Sequence, residues 1–230
     1  MASTNVRKSV IGIINEVERK LGVNESSFAQ DNEFSKSILD FLNDTIDEVN
    51  DVGNWPQMFR EITVSSQACV GSYEIAVSSE VKNIYEVHFG SQVSPLIARS
   101  ISEMRVLQKT SGKGTPRQFC IVDTSGTNPK IRVYPIIGTA QSSGNFDVAY
   151  YKKNRLYSAT SVDSSATPAF PSRMLVQGTF AKVLLEESGQ EETPQFRNAE
   201  ARYLNMRKEA LNRLIFDTTQ DMQITPTGMP

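Results

Sequence analysis

The segment DNEFSKSILDFLNDTIDEVNDVGNWP, residues 31–56, sets the organisation of the whole chain. One mainly apolar stripe within it recurs at steps of three and four residues, which is the spacing of one face of an α-helix. Carboxylates occupy the other positions, so the segment predicts an amphipathic helix with an acidic outer surface. The stripe is Ile38, Phe41, Leu42, Thr45, Ile46 and Val49, and the carboxylates are Asp40, Asp44, Asp47, Glu48 and Asp51.

The sequence also indicates both ends of this helix. Asp31 or Asn32 can accept hydrogen bonds from the first-turn amides. Gly53 can end the helix ahead of Pro56, which has no amide hydrogen and disfavours helical geometry before it. Trp55 is the only tryptophan in the chain, and at a helix-to-strand corner its ring can be buried while its N–H finds an acceptor. We interpret it as a structural corner residue rather than a recognition residue.

The composition limits the possible classes of protein. The chain has 230 residues, of which 39% are hydrophobic and 22% charged, which is ordinary for a globular protein of one large or two small domains. Residues 1–60 carry 6 basic and 10 acidic side chains, whereas residues 61–170 carry 11 and 8. The net charge of −2 and the absence of a strongly basic segment argue against a high-affinity nucleic-acid site.

The cysteines, the N-terminus and the longest apolar stretches indicate the compartment. Cys69 and Cys120 are the only cysteines, too few for a disulfide framework or metal cluster, and we expect both to be buried thiols in a reducing compartment. The first 20 residues lack the hydrophobic region of a signal peptide. No stretch approaches the roughly 20 apolar residues of a membrane span. We therefore expect synthesis in a cytoplasm and no membrane association.

Around the central segment, the chain changes architecture. A first helix is predicted at residues 4–21, ended by Gly22, with its apolar face against that of the second, antiparallel helix. All ten prolines fall at or after Pro56, and alternating β-branched and aromatic residues fill 60–151. The predicted strands there include residues 62–64, 73–77, 84–89, 118–122, 130–134 and 146–151, with a short helix at 100–109.

The last third returns to helix. Residues 152–172 lack periodicity, so we expect an extended connection over the surface. Helices are predicted from Pro171 and again over residues 193–216. The predicted fold is α+β: a helical bundle from residues 1–56 and 171–216, an inserted antiparallel β-sandwich or barrel-like domain at 57–170, and an extended C-terminal tail at 217–230.

Few residues suggest chemistry. The single histidine, His88, lies in an alternating strand with no neighbouring metal ligand and no nucleophile elbow. The stretch KTSGKGTPR, residues 109–117, resembles a phosphate loop but has Leu107 where a glycine is required and Gly114 where Ser or Thr is required. No catalytic residue, metal site or cofactor site is predicted, and no cofactor is expected.

Two charged groups allow a functional interpretation but favour a structural one. The carboxylates of the 31–56 helix lack the inward-pointing Glu-x-x-His partners of a metal-binding bundle, so a solvated acidic face is favoured. A second group mixes basic and aromatic side chains, as a nucleic-acid surface does, but its three charges give only a weak phosphate attraction. It consists of Tyr150, Tyr151, Lys152, Lys153, Arg155 and Tyr157, and a strand edge that leads into the connection is the favoured interpretation.

Several short motifs, taken in order, resemble the head-to-tail adaptor proteins of tailed bacteriophages, especially short-tailed ones. The resemblance spans residues 1–216 and depends on the order of the motifs rather than on any one of them. They are the helix ending D-x-x-N-W-P at 51–56, GTPRQF at 114–119, IRVYP at 131–135, VAYYKK at 148–153, FPS at 170–172 and QGT at 177–179.

This resemblance implies a structural virion protein rather than an enzyme. Such adaptors form a dodecameric ring in the virion neck, between the portal protein and the tail nozzle or tail tube protein, and double-stranded DNA passes through the lumen. A stopper or tail-completion ring protein is the alternative in the same assembly. A nuclease or virion hydrolase, and a sequence-neutral DNA-binding module, are the alternatives of other classes.

The resemblance also implies where the portal would bind. In such adaptors a C-terminal extension reaches the portal, and the tail of this chain has a composition suited to ordering on a partner. An acidic helical part would let DNA slide without being retained. The residues with least use in a monomer core are the candidates for portal contact: Arg207, Arg213, Phe216, Met222 and Ile224.

Overall fold

Most helices and all the described strands lie in separate stretches of the chain, as in an α+β fold, and the α+β prediction is confirmed. The computed structural model describes residues 7–25, 32–65, 74–110, 112–123, 130–138 and 144–220. The helices are α1 Val10–Leu21, α2 Glu33–Val52, α3 Ile101–Gln108, α4 Ser161–Ser165, α5 Ser172–Glu187 and α6 Pro194–Gln220. The strands are β1 Phe59–Ser65, β2 Glu74–Ala76, β3 Val81–Phe89, β4 Ile97–Ala98, β5 Gln118–Asp123, β6 Lys130–Tyr134 and β7 Asn145–Lys152.

Two units divide the chain. The helical unit contains the described residues up to Trp55 and from Asn154 onward, and the β unit is Pro56–Lys153. The second boundary lies at Lys153 because the segment that follows packs on the helices. The chain therefore leaves the helical unit after α2 and re-enters it after β7.

The first helix begins later than the sequence suggested. Ser9 is the N-cap, with an extended backbone and a side-chain oxygen that accepts from the amide of Gly12 at 3.3 Å. A capping serine stops the helix from extending backward, because its own backbone is not helical. The prediction that this helix starts near residue 4 is thus wrong for residues 7–9, and residues 4–6 lie outside the described part. The end at Gly22, in the left-handed region at φ 75°, is confirmed.

Both ends of α2 follow the sequence prediction. Asn32 caps the helix by accepting from the amide of Ser35 at 2.7 Å. Trp55 is 2% exposed, its indole N–H donates to the carbonyl of Val49 at 2.8 Å, and its ring meets Phe170 edge-on at 5.3 Å. The interpretation of Trp55 as a buried corner residue is confirmed.

Helix α5 is the central element of the helical unit. It contacts α1, α2 and α6, and both α1 and α2 contact it more extensively than they contact each other. A helix covered on several sides needs small or apolar residues around most of its circumference. The buried residues of α5 are Ser172, Met174, Leu175, Val176, Gln177, Gly178, Thr179, Ala181 and Val183.

The segment between β7 and α5 is not a surface connection, and this prediction is wrong. It contains α4, and Phe170 is fully buried while Tyr157 and Asp163 are almost so. The backbone amide of Val10 donates to the carbonyl of Ala166 at 2.8 Å, which ties the segment to α1. Aperiodic sequence gave no sign of this burial, because the buried residues are held by individual contacts rather than by one helical or strand face.

The β unit has two sheets that share one hydrophobic core. One has the strand order β1-β7-β3 and the other β2-β6-β5-β4, with β4 and β5 parallel and the other pairs antiparallel. The shared core includes Val87, Phe146 and Val148 from the first sheet and Phe119 and Ile131 from the second. The assignment of this unit as a sandwich or barrel stays a prediction.

Individual elements of the β unit match the sequence closely. The strand predicted at residues 130–134 and the helix at 100–109 are confirmed, the latter with a capping box between Ser100 and Glu103. Alternation did not indicate the two-residue strand β4. Cys120 is a buried free thiol in β5, as expected, whereas Cys69 lies outside the described residues.

Candidate assembly surfaces

A glycine allows α2, α5 and α6 to approach closely. A Cβ atom on Gly178 of α5 would lie 2.5 Å from Cγ2 of Thr45 on α2 and 2.8 Å from Cε2 of Tyr203 on α6. Real Cβ atoms do not come this close to other carbons, so the three helices meet around a position that only glycine fits. Because Thr45 and Tyr203 face this contact, the opposite faces of α2 and α6 are the ones exposed to solvent.

A polar network around Glu48 joins the same three helices. Glu48 Oε1 lies 2.5 Å from Nζ of Lys182, and Glu48 Oε2 accepts from the hydroxyl of Tyr203 at 3.3 Å. Burial raises the pKa of Tyr203 to about 12, and the charge of Glu48 adds to the shift. Of the five carboxylates predicted for the acidic surface, Glu48 is thus exposed but paired with side chains of its own unit.

The candidate portal residues occupy the C-terminal half of α6 and the tail. Arg207 is half-buried, and its guanidinium lies 5.4 Å from the ring centre of Tyr203. Arg207 thus has a use within the helical unit, which the sequence argument did not foresee. Arg213 and Phe216 lie on α6, but their side chains are outside the described part, as are Met222 and Ile224 entirely.

Helix α6 also runs further than predicted. Phe196, Ala199 and Tyr203 are buried in the N-terminal half, and Leu211 still faces Gly53, 3.4 Å from where a Cβ would stand. The helix continues to Gln220, so residues 217–220, assigned to an extended tail from the sequence, are helical. The remaining tail, residues 221–230, lies outside the described part.

A basic groove, missed in the sequence, lies among α1, α5 and α6. It has a volume of about 430 Å³ and is lined by two cations, three side-chain amides, an aromatic ring and one small residue. Lys20 Nζ donates to Oε1 of Gln177 at 3.0 Å and lies 5.1 Å from the ring centre of Phe180. The lining residues are Lys20, Gln177, Phe180, Gln195, Asn198, Ala199 and Arg202.

Positive charge is concentrated at this groove. Burial lowers the pKa of Lys20, Glu16 opposes that shift, and Arg202 and Arg173 lower the pKa further. Within the described part of the chain, neither Arg173 nor Arg202 has an ion pair, and both are exposed. These cations come from residues 20, 173 and 202, so no local sequence signal could have identified the groove.

An acidic stripe runs along the outer surface of α2. Asp40, Asp44, Asp47 and Asp51 follow at steps of four, three and four, and all four are exposed. No described residue forms an ion pair with any of them. Burial raises the pKa of Asp47, and the charges of Asp51 and Asp44 raise it further. The sequence predicted this acidic surface correctly, and the structure adds that its aspartates form no ion pairs within the described ranges.

The outer face of the three-stranded sheet carries a second group of acidic residues. Glu61, Glu86, Asp147 and His88 line an open cleft of about 380 Å³. His88 Nε2 lies 3.4 Å from Oε1 of Glu86, and Asp147 accepts from the hydroxyl of Thr63 at 2.7 Å. Among the described residues, no group of three or more His, Cys, Asp or Glu side chains could hold a metal ion.

The basic and aromatic residues at and after the end of β7 form ion pairs and core contacts within their own units. Lys152 Nζ lies 2.8 Å from Oε1 of Glu80, Arg155 pairs with Asp163, and Tyr150 is buried in the β core. Strand β7 is the central strand of its sheet, not an edge. These contacts give the group a structural role.

Comparison with known proteins adds the remaining findings. The model of a family described as SU10 adaptor protein matches residues 9–230, which includes both units. No curated protein matches the chain. No helix in the described ranges is both long and apolar enough to cross a membrane.

Proposed function

The chain belongs to the SU10 adaptor protein family, and on that basis we propose that it is a structural component of the neck of a tailed bacteriophage. It forms a dodecameric ring between the portal protein and the tail nozzle or tail tube protein, and double-stranded DNA passes through the lumen. The ring assembles in the host cytoplasm and stays in the virion. Its role is to join and seal, not to catalyse.

The observation that carries the proposal is the length of α6. This helix has 27 residues, whereas α5, on which it packs, has 16. At 1.5 Å per residue α6 is about 40 Å long and α5 about 24 Å. Past the contact of Leu211 with Gly53, α6 continues for nine residues, or about 13 Å.

We assign this continuation and the tail to the portal. A long helix followed by a segment of low apolar content is suited to docking into a groove of a partner. The portal-contact residues in this proposal are Arg213, Phe216, Met222 and Ile224, with Arg207 at the base of the extension, where it also packs on Tyr203.

Co-sedimentation with preassembled portal rings tests the function. The full chain is mixed with rings of the portal protein from the same phage, and the pellet is examined by negative-stain microscopy. We expect one stoichiometric layer on the portal. A protein that does not bind the portal but assembles into rings or tubes would be a tail-completion component. A protein that neither binds the portal nor assembles would refute the proposal.

A further inference from the structure

The helical unit carries an acidic surface and a basic surface whose charges form no ion pair with a described residue. The acidic stripe, Asp40, Asp44, Asp47 and Asp51, spans 12 residues of α2, or about 16 Å from first to last. At 100° per residue its four side chains lie within about 60° of one another. The basic groove is lined by Lys20 and Arg202 without a carboxylate among its described lining residues.

The acidic stripe lowers the stability of the helix that carries it. Like charges four residues apart on a helix repel each other and destabilise it. Asp51 lies in the last turn of α2, where the helix dipole disfavours negative charge, and that turn has no basic residue. A partner of opposite charge would remove this repulsion.

The two surfaces lie on opposite sides of α5. Gln177 and Phe180 of α5 face Lys20 of the groove, whereas Gly178 and Lys182 face α2. By helical geometry the mean directions of these two pairs are about 150° apart. The stripe therefore cannot reach the groove of its own chain.

We propose that the acidic stripe of one copy docks against the basic groove of a second copy, and that this contact joins neighbouring subunits. Two different, complementary surfaces on opposite sides of a subunit give a head-to-tail contact, which repeats and closes into a ring when the rotation allows. The carboxylates of the stripe meet Lys20 and Arg202, and the amides of Gln195 and Asn198 donate to the remaining carboxylate oxygens. The inference rests on the proposed ring.

Charge reversal in two complementary variants tests this contact. Asp44→Lys/Asp47→Lys reverses the two central charges of the stripe, and Lys20→Glu/Arg202→Glu reverses both cations of the groove. In each variant alone like charges face each other across the contact, so we expect self-association of the full chain to weaken at least about tenfold in sedimentation velocity at low salt. A mixture of the two variants restores opposite charges at both junctions and should associate as wild type does.

Controls separate this contact from general effects of charge. Glu187→Lys/Glu191→Lys changes the net charge as much as the stripe variant does, at exposed carboxylates outside both surfaces, and should associate like wild type. Restoration in the mixture also requires that both variants are folded. In wild type, carbodiimide cross-linking should join Lys20 of one copy to an aspartate of the stripe of another.

Three results would overturn the proposal: wild type that stays monomeric at all concentrations, a mixture that does not associate, or a control that fails as the variants do. Wild type that does not self-associate but binds duplex DNA, with the groove variant losing that binding, would assign the groove to DNA phosphate instead. The portal assay is independent. If the mixed variants associate again but the protein does not bind the portal, the adaptor function is refuted while the proposed contact between copies is still supported.

Discussion

The side chain of Asn43 forms two hydrogen bonds with the backbone of Tyr157. Its Nδ2 donates to the carbonyl oxygen at 2.9 Å, and its Oδ1 accepts from the amide at 2.9 Å. The pair joins α2 to the segment between β7 and α5, 114 residues later in the chain. This clamp is one reason that the segment belongs to the helical unit.

Removal of the clamp should destabilise the helical unit. Asn43→Ala leaves the half-buried amide and carbonyl of Tyr157 without their partner, so we expect a loss of about 1–3 kcal/mol in the free energy of unfolding. Urea titration followed by circular dichroism measures the change. Asn205→Ala, at an exposed position of α6, is the control and should cost much less. Equal losses in the two variants would show that the clamp contributes nothing specific.

The glycine at the meeting point of three helices gives a second prediction. Gly178→Ala places a methyl group 2.5 Å from Thr45 and 2.8 Å from Tyr203, so overpacking should cost about 1–3 kcal/mol. Gly12→Ala, in α1, meets only Ser9 Oγ at 3.3 Å and Lys8 Cβ at 3.5 Å, and the better helix propensity of alanine should keep it within about 1 kcal/mol of wild type. Thermal unfolding of both variants decides; similar melting temperatures would contradict the close approach.

Tyr203 should make stability depend on alkaline pH. Its pKa is about 12 in the folded protein, raised by burial and by Glu48, whereas an unfolded tyrosine titrates near 10. Between these values the folded state holds a proton that the unfolded state has lost, so stability is full below pH 10 and falls as the pH rises toward 12. Tyr203→Phe should flatten this fall in urea titrations from pH 8 to 11. An unchanged slope would mean that other groups cause it.

Neutralisation of Asp47 should separate stability from assembly. Burial raises the pKa of Asp47, and the charges of Asp51 and Asp44 raise it further. The folded protein therefore favours the protonated carboxyl. The stability that this protonated form contributes is lost as the pH rises above the ordinary pKa of aspartate. Asp47→Asn should therefore gain about 0.2–0.5 kcal/mol at neutral pH and weaken self-association. A variant that is more stable and associates as well as wild type would argue against a partner for the stripe.

Truncation should separate folding from portal attachment. Deletion of residues 221–230 leaves α6 complete, so the thermal unfolding midpoint should stay within a few degrees of that of the full chain while portal co-sedimentation is lost. A chain that also lacks residues 213–220 should behave in the same way, since Leu211 keeps its contact with Gly53. If the shorter chain unfolds, residues 213–220 belong to the core. If both truncated chains still bind the portal, the attachment site lies outside residues 213–230.

Local periodicity predicted most helices and strands, but not all of the tertiary contacts that their residues make. The stripe of α2, the cap at Asn32 and the strand at residues 130–134 depend on neighbours within a few residues, and the sequence contains that information directly. It failed at residues 152–172, where burial of Phe170 and Asp163 arises from separate distant contacts. It also gave no sign that Arg207 packs on Tyr203, because that contact depends on which face of α6 meets α5.

Residue spacing along the chain was enough to predict that helices flank a β segment and that the outer surface of α2 is acidic, and the order of short motifs was enough to show the resemblance to phage adaptors. It could not show that α5 is the central helix, or that Lys20, Arg173 and Arg202 come together from three separated segments. The difference lies in how far apart in sequence the interacting residues are. Helix caps and amphipathic faces are set by residues a few positions apart, whereas a groove between helices depends on the packing that Gly178 allows.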